Sequence, residues 1–346
     1  MHTEEEAEMA VTIKDIAKKA GVSHTTVSRA LNDHPAISKE TVGRIKLLAE
    51  ELDYVPSAAA RGLKTNRSLV LGVIVHRIED PFLTDVLRGI EDTLNPSEYS
   101  LFLAATKRDP EREKRVIQAM AERRVDGIIF SSLYIGVQQL RYLKQIDIPI
   151  VLINNQTMQD PDVYLVYHQD VEATRQLTQH LVDLGHRKIA YLGSARSGRT
   201  NVKRQQGYEE GLEKAGLPLC PEYIISGTTS RPENGINGMN GLLALADPPT
   251  AVICYNDMIA IGAIKAITQA GLSVPHDISV AGFDNIDLAQ YVTPPLTTFH
   301  QPRYQLGQEA AKMILHILQQ DKGAQRPDAV VLHGELIIRQ STASPH

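Results

Sequence analysis

His24, Thr25, Thr26, Ser28 and Arg29 crowd hydrogen-bonding side chains into one short stretch of the chain. On the N-terminal turns of a helix such a run can meet base edges and phosphates in a DNA major groove, whereas a merely solvated helix more typically shows Glu and Lys. Bond-making chemistry has less support. The first apolar run, LGVIVHRIEDPF, lacks G-x-G-x-x-G, and G-x-x-x-x-G-K-[ST] occurs nowhere. No paired carboxylates, metal-ligand cluster or nucleophile elbow stands out, and His186 in LGHRKIAYLG reads as a structural residue at a helix end. Cys220 and Cys254 cannot form a metal site alone and read as reduced thiols in the core or at its edge. We therefore expect no catalytic residues, no metal and no cofactor.

The elements that must position the polar run are legible around it. In TIKDIAKKAGVSHTTVSRAL, Ile13, Ile16, Ala17 and Ala20 recur at helical spacing, break at Gly21, and resume with Val27, Ala30 and Leu31. Ser23 can cap the second helix, and Gly21 can take the left-handed conformation that ends the first. Ala17, Gly21 and Val27 have the spacing required where two helices meet at a sharp angle: small at the contact, glycine at the turn, β-branched where the second helix packs back. A third helix is signalled by Ser38 as cap and by the stripe Val42, Ile45, Leu48, Ala49 and Leu52, and Tyr54-Val55-Pro56 ends it. SAAARGLKTNRS, residues 57–68, is too short to hold a helix alone and reads as a linker that could become helical with support.

From Leu69 the apolar runs LVLGVIV, SLFLAA, DGIIF, PIVLI, IAYLG, AVICY and ISVAGF alternate with helix-forming segments, the pattern of parallel sheets covered on both faces. The polar stretch near Asn154 to His168 is the expected boundary between two such lobes. At 346 residues, with 42% hydrophobic and 22% charged residues, the chain has the composition of a globular protein of more than one domain. Its net charge of −5 is uneven: residues 1–10 form a purely acidic leader with four Glu, residues 11–68 carry ten basic against six acidic side chains, and the rest carries 26 against 31. A small basic unit joined to a larger acidic one suits contact with a polyanion by the former. The N-terminus lacks the basic and apolar regions of a secretory signal, and no apolar stretch approaches the roughly 20 residues of a membrane span. A cytoplasmic location without membrane contact is expected.

TIKDIAKKAGVSHTTVSRALN resembles the headpiece of the LacI/GalR family of bacterial transcriptional regulators, and the similarity continues through YVPSAAARGL to the terminal IIRQST. The resemblance implies a helix-turn-helix headpiece (11–56), a hinge helix (57–68), and a domain of two doubly wound parallel-sheet lobes like a type I periplasmic binding protein (69–342). It divides that domain into a first lobe at about 69–166 plus 303–329 and a second at about 167–302 plus 330–342. By residue, it makes His24 and Thr25 the pair that reads bases, with Arg29 at a third recognition position. Ser23, Thr26, Ser28, Asn32, Ser38, Thr41 and Tyr54 match phosphate-touching or helix-fixing positions. Ala60 and Leu63 match residues that enter the minor groove, Leu63 as a wedge between the two central base pairs.

The same resemblance implies a ligand cleft at strand ends, with Asp80, Phe82, Asn154, Arg204, Asn256, Asp257, Asp284 and Gln301 at or beside effector-contacting positions. It implies a homodimer on near-palindromic operator DNA, with a small-molecule effector controlling operator affinity. A sugar or sugar derivative is the first expectation. The alternatives are a corepressor-dependent regulator taking a non-sugar metabolite such as a purine, or a solute-binding protein. Thr229 stands where many relatives place an aromatic residue that stacks on a sugar or base, which weakens the sugar assignment.

Overall fold

The computed structural model describes residues 11–54, 67–131, 137–155, 158, 160, 162–320 and 327–346. The chain divides into two units, Met1–Ser68 and Leu69–His346. In the first, α1 (Ile13–Ala20) starts at Thr12, whose backbone N–H and hydroxyl both donate to Asp15, and ends where Gly21 turns left-handed at φ 66°. Helix α2 (His24–Leu31) is capped by Ser23, whose hydroxyl accepts from the Thr26 amide at 3.1 Å. Helix α3 (Lys39–Glu51) repeats the device, Ser38 accepting from the Thr41 amide at 3.3 Å. These caps satisfy first-turn amides that have no partner inside the helix. Ile16, Ala17, Val27, Ala30, Ile45 and Ala49 form the core, so Ala17 and Val27 meet as their spacing predicts. Burying Ile16, Val27 and Ile45 contributes about 1.5–3 kcal/mol each.

Among the described residues, the second unit contains two six-stranded sheets. The first is built from β1 (Val70–Val75), β2 (Ser100–Ala105), β3 (Gly127–Ser131), β4 (Ile150–Ile153), β5 (Val163–His168) and β11 (Val330–Leu332), in the order β11-β5-β4-β3-β1-β2. The second holds β6 (Ile189–Ser194), β7 (Ile224–Gly227), β8 (Ala251–Cys254), β9 (Ser279–Asp284), β10 (Thr297–His300) and β12 (Glu335–Ile337), in the order β12-β10-β9-β8-β6-β7. Every pairing is parallel except β10 with β12, an antiparallel edge on an otherwise parallel sheet. The seven apolar runs are all strands, and except in the edge strand β2, which is only partly buried, their residues are almost wholly buried because helices cover both faces.

The connecting helices are α4 (Phe82–Leu94), α5 (Pro110–Glu122) and α6 (Val137–Gln145) in the first lobe, and α7 (Asp170–Asp183), α8 (Gly198–Lys214), α9 (Pro232–Leu243) and α10 (Asp257–Gln269) in the second. Helix α11 (Arg303–Gln319) returns to the first lobe and packs on α4. The two backbones approach so closely that a Cβ on Gly307 would lie 2.0 Å from the Val86 carbonyl oxygen.

The chain thus crosses between lobes three times, after β5, after β10 and between β11 and β12. The first crossing lies between β5 and β6 and the second between β10 and α11. The third corrects an expected boundary: Val330–Leu332 pairs with β5, so it belongs to the first lobe and not, as expected, to the second. The expected inter-lobe stretch near Asn154 to His168 likewise contains a strand of the first sheet, β5.

Candidate DNA-reading helix and effector cleft

In the headpiece unit, His24, Thr25 and Arg29 are exposed on α2, opposite buried Val27 and Ala30. Ser23 and Ser38 are exposed caps, and the hydroxyls of Thr26 and Thr41 each lie 2.9 Å from their capping serine. Asn32 is exposed and donates to the Ser28 carbonyl at 2.6 Å, fixing the end of the helix. Tyr54 packs partly buried against the headpiece core. This is the division that groove recognition needs: apolar residues hold the helix, and polar ones are presented from its first turns. Ala60 and Leu63 lie outside the described residues.

In the second unit, the C-terminal ends of the strands converge on one cleft between the lobes, where an open α/β sheet forms its crevice. Asp80, Phe82 and Asn154 line it from the first lobe, Arg204, Asn256 and Asp284 from the second, and Gln301 from the second crossing. Arg204, at 3% exposure, donates from Nε to Asp170 Oδ1 at 2.9 Å and from Nη1 to the Tyr255 carbonyl at 2.5 Å, and reaches Asp284 Oδ1 at 3.5 Å. Its guanidinium lies 3.7 Å from the centre of the Phe283 ring and 4.6 Å from that of Tyr255. Burial disfavours its charge, but Asp170, Tyr255 and Asp284 outweigh this and raise its pKa. Burial likewise opposes ionisation of Asp170, and the adjacent His168 and Arg204 overcome that and hold its carboxyl below the usual range.

Asp284 sits at φ 107°, a conformation side chains rarely adopt, at the end of β9. Burial pushes its carboxyl up to about 6, against the pull of Arg204. Gln301 Nε2 donates to Asp284 Oδ1, and Asn154 Nδ2 donates to Gln301 Oε1 at 3.1 Å. A polar relay therefore runs from Asn154 in the first lobe through Gln301 and Asp284 to Arg204 in the second. The Asn154 Oδ1 atom, buried on the cleft wall, has no hydrogen-bond partner, an acceptor a ligand could satisfy. Asp80 accepts from the Phe82 amide at 3.2 Å and pairs with His76 at 3.3 Å. Burial works against its charge, yet the contacts with His76 and Phe82 hold its pKa below the ordinary value.

Two candidates play supporting parts. Asn256 faces the cleft, but its Oδ1 caps α10 through the Ile259 amide at 3.0 Å and its Nδ2 donates to the Ser230 carbonyl at 3.2 Å. Asp257 does not line the cleft: it is fully buried, accepting from the Thr298 hydroxyl at 2.5 Å and the Ile286 amide at 2.8 Å. The first helical turn after Asn256 directs it inward. Burial, with Asp284 adding to it, pushes its carboxyl up to about 8.

Sequence reasoning missed His76, Arg108, Ser131, Thr200, Ser230 and Tyr255 on the cleft wall. His76 and Tyr255 follow β1 and β8 directly, so the strand-end rule points to both. Thr200 precedes Arg204 by one helical turn and shares its face. The arrangement can bind a polar small molecule through guanidinium and amide donors and carboxylate acceptors. Among the described residues, no group of His, Cys, Asp and Glu could hold a metal ion. His186 is buried and hydrogen-bonded to Thr250, Ser279 and the Ala343 carbonyl, a structural role.

Residues 12–57 match the description "Bacterial regulatory proteins, lacI family", and residues 178–342 match "Periplasmic binding protein-like domain". The HTH-type transcriptional repressor PurR of Mannheimia succiniciproducens is 38% identical over 331 residues, spanning 95% of this chain and 98% of that protein. PurR of Haemophilus influenzae is 36% identical over 335 residues, spanning 96% and 99%. The chain belongs to the lacI family. Among solved structures, this lacI-family regulator is similar to the lac repressor dimer bound to operator and the anti-inducer ONPF, with TM-score 0.85 and 26% identity over 96% of this chain and 99% of that one. It is also similar to the CelR–cellobiose complex, with TM-score 0.73, 26% identity and the same coverage. The family places it among DNA-binding repressors with an effector domain rather than among enzymes. Among the described residues, no helix is long and apolar enough to cross a membrane.

Proposed function

We propose that this regulator represses transcription in the cytoplasm as a homodimer on a near-palindromic operator, and that a purine-class corepressor in the cleft strengthens its hold on DNA. The observation that carries the purine class is the identity to PurR repressors along nearly the whole chain. The cleft's chemistry supports it. Arg204 and Asn154 offer donors, Asp284 an acceptor, the unpaired Asn154 Oδ1 another acceptor, and Phe82 an aromatic side chain on the wall, a set that suits a planar heterocycle with donors and acceptors around its edge. The intermediate exposure of Thr229 instead of a stacking ring weighs against a sugar.

A ligand touching Asn154 and Phe82 on one lobe and Arg204 and Asp284 on the other favours the closed arrangement, with coupling to DNA typically worth ~1–3 kcal/mol. In this reading His24, Thr25 and Arg29 read bases, Ser23, Thr26, Ser28, Asn32, Ser38, Thr41 and Tyr54 hold the backbone, and Ala60 and Leu63 enter the minor groove. The test is selection of bound duplexes from a random DNA pool at near-physiological salt, with and without guanine or hypoxanthine, repeated with Leu63→Ala. We expect a palindrome with a central CG step, enriched more strongly with the purine and weakened by the substitution. Enrichment indifferent to both purines but released by a sugar would overturn the corepressor reading. No consensus under any condition would overturn the operator reading.

A further inference from the structure

We propose that the effector of this regulator is an anionic metabolite, its phosphate or carboxylate held at the mouth of the cleft by Arg77, Lys107, Arg108 and Arg231. The inference rests on the reading that the cleft is the effector site and adds the charge class of what enters it. The inner cavity, of ≈ 60 Å³, shares His76, Arg108 and Ser230 with a second cavity of ≈ 230 Å³, so the two are adjoining parts of one space. The outer one is lined by four cations, Arg77, Lys107, Arg108 and Arg231, against one acid, Glu79. The inner cavity adds Asp80, Asp284 and Arg204, so five cations face three acids across the two, with Glu79 paired to Arg231 at 2.8 Å and Asp80 to Arg77 at 3.5 Å. This cationic surplus sits in a part of the chain where acidic residues outnumber basic ones, so composition alone does not account for it. Cations lining a partly enclosed cleft focus potential and attract anions.

Three further observations point the same way. Lys107 and Arg108 both adopt left-handed backbone, φ 55° and 59°, a conformation that glycine would take at lower cost. The turn is pinned by the Lys107 amide donating to the His76 carbonyl at 2.8 Å, so a costly conformation places two cations on the cavity wall. Arg77 is mostly buried: its Nη2 donates to the Ser230 hydroxyl at 3.0 Å across the cleft, while its buried Nε has no hydrogen-bond partner. Finally, Thr228, Thr229 and Ser230 bring hydroxyls to the same wall immediately before α9, whose positive end begins there. Thr229 stands where many relatives place a stacking ring, and a hydroxyl beside cations suits an anionic oxygen better than a ring face does.

The test is thermal unfolding of the full chain in phosphate, acetate and chloride at matched ionic strength, for the wild type and for Lys107→Met at an exposed position, with the circular dichroism of the two proteins compared first. We expect saturable stabilisation by phosphate over chloride, with apparent affinity weakened about tenfold in the variant. The same behaviour in acetate and not in phosphate would assign a carboxylate; equal behaviour of all three anions, or of both proteins, overturns the inference. Titration with guanosine and guanosine monophosphate separates this failure from that of the cleft itself. Tighter binding of the monophosphate supports the anion subsite. Equal binding of both, lost in Asp284→Asn, leaves the effector cleft standing and removes the anion subsite.

Discussion

Asp257→Asn should stabilise this protein at neutral pH, the opposite of what loss of a ligand-binding carboxylate would suggest. The carboxyl is fully buried, with its pKa pushed from 3.8 up to about 8. Between those values the unfolded chain has released a proton that the folded chain retains, so stability falls as pH rises from about 4 and the loss is complete only above about 8. At about 1.36 kcal/mol per pH unit, the cost accumulated by pH 7 is of order 4 kcal/mol. Asparagine is isosteric and neutral at every pH: its Oδ1 can accept from the Ile286 amide and its Nδ2 can donate to the Thr298 hydroxyl. Calorimetry at pH 4, 6 and 8 should therefore show no advantage at pH 4 and a Tm higher by roughly 10–20 °C at pH 8, where the accumulated cost reaches about 5 kcal/mol. Effector response should persist, because the residue does not line the cleft. A variant less stable than the wild type at pH 8, or one with the wild-type pH slope, would refute the reasoning.

Arg204→Met leaves Asp170 and Asp284 buried without their shared cation, so urea titration should show a loss of about 3–5 kcal/mol; a loss below about 1 kcal/mol would mean that water or His168 replaces the guanidinium. Gly307→Ala would drive a methyl group to 2.0 Å from the Val86 carbonyl oxygen, and the forced separation of α4 and α11 should cost about 1–3 kcal/mol or more by the same assay. His24→Ala should relax base preference at one or two operator positions by ~1–3 kcal/mol in competition binding; an equal loss on all sequences would make His24 a phosphate contact.

What could be read without coordinates follows from how local its causes are. The headpiece helices start at caps three residues apart, Ser23 with Thr26 and Ser38 with Thr41, and their core stripes recur at helical spacing, so the helices are legible in the sequence. The buried strands announce themselves because both faces are covered. Strand β10 does not: Thr297 and Thr298 look like loop residues, and what makes them core is the Asp257 carboxylate and the Ser341 hydroxyl, 41 and 44 residues away in the chain. The short edge strands β7, β11 and β12 carry too few apolar residues to register, and β5 hides behind a polar approach. In the cleft, the strand-end rule locates Asn154 and Asp284, Gln301 follows only from the family resemblance because β10 is not legible, and adjacency to Asn256 does not reveal that Asp257 turns inward. The cations at the mouth come from two lobes, and only the fold brings them together.

The three crossings between lobes also govern how the chain can be made and broken. Each lobe is discontinuous: α11 completes the first after the second is nearly whole, and β12, followed by Ser341 bonded to Thr297 and Val280, closes the second. Order of synthesis is therefore not order of completion, and a growing chain leaves an apolar face of the first sheet and the β10 edge of the second uncovered until the stretch from Arg303 to Ile337 has emerged. Once folded, the same threading works as redundancy. A single proteolytic nick in any one connection leaves the lobes joined by the other two, so a cut protein can remain one particle.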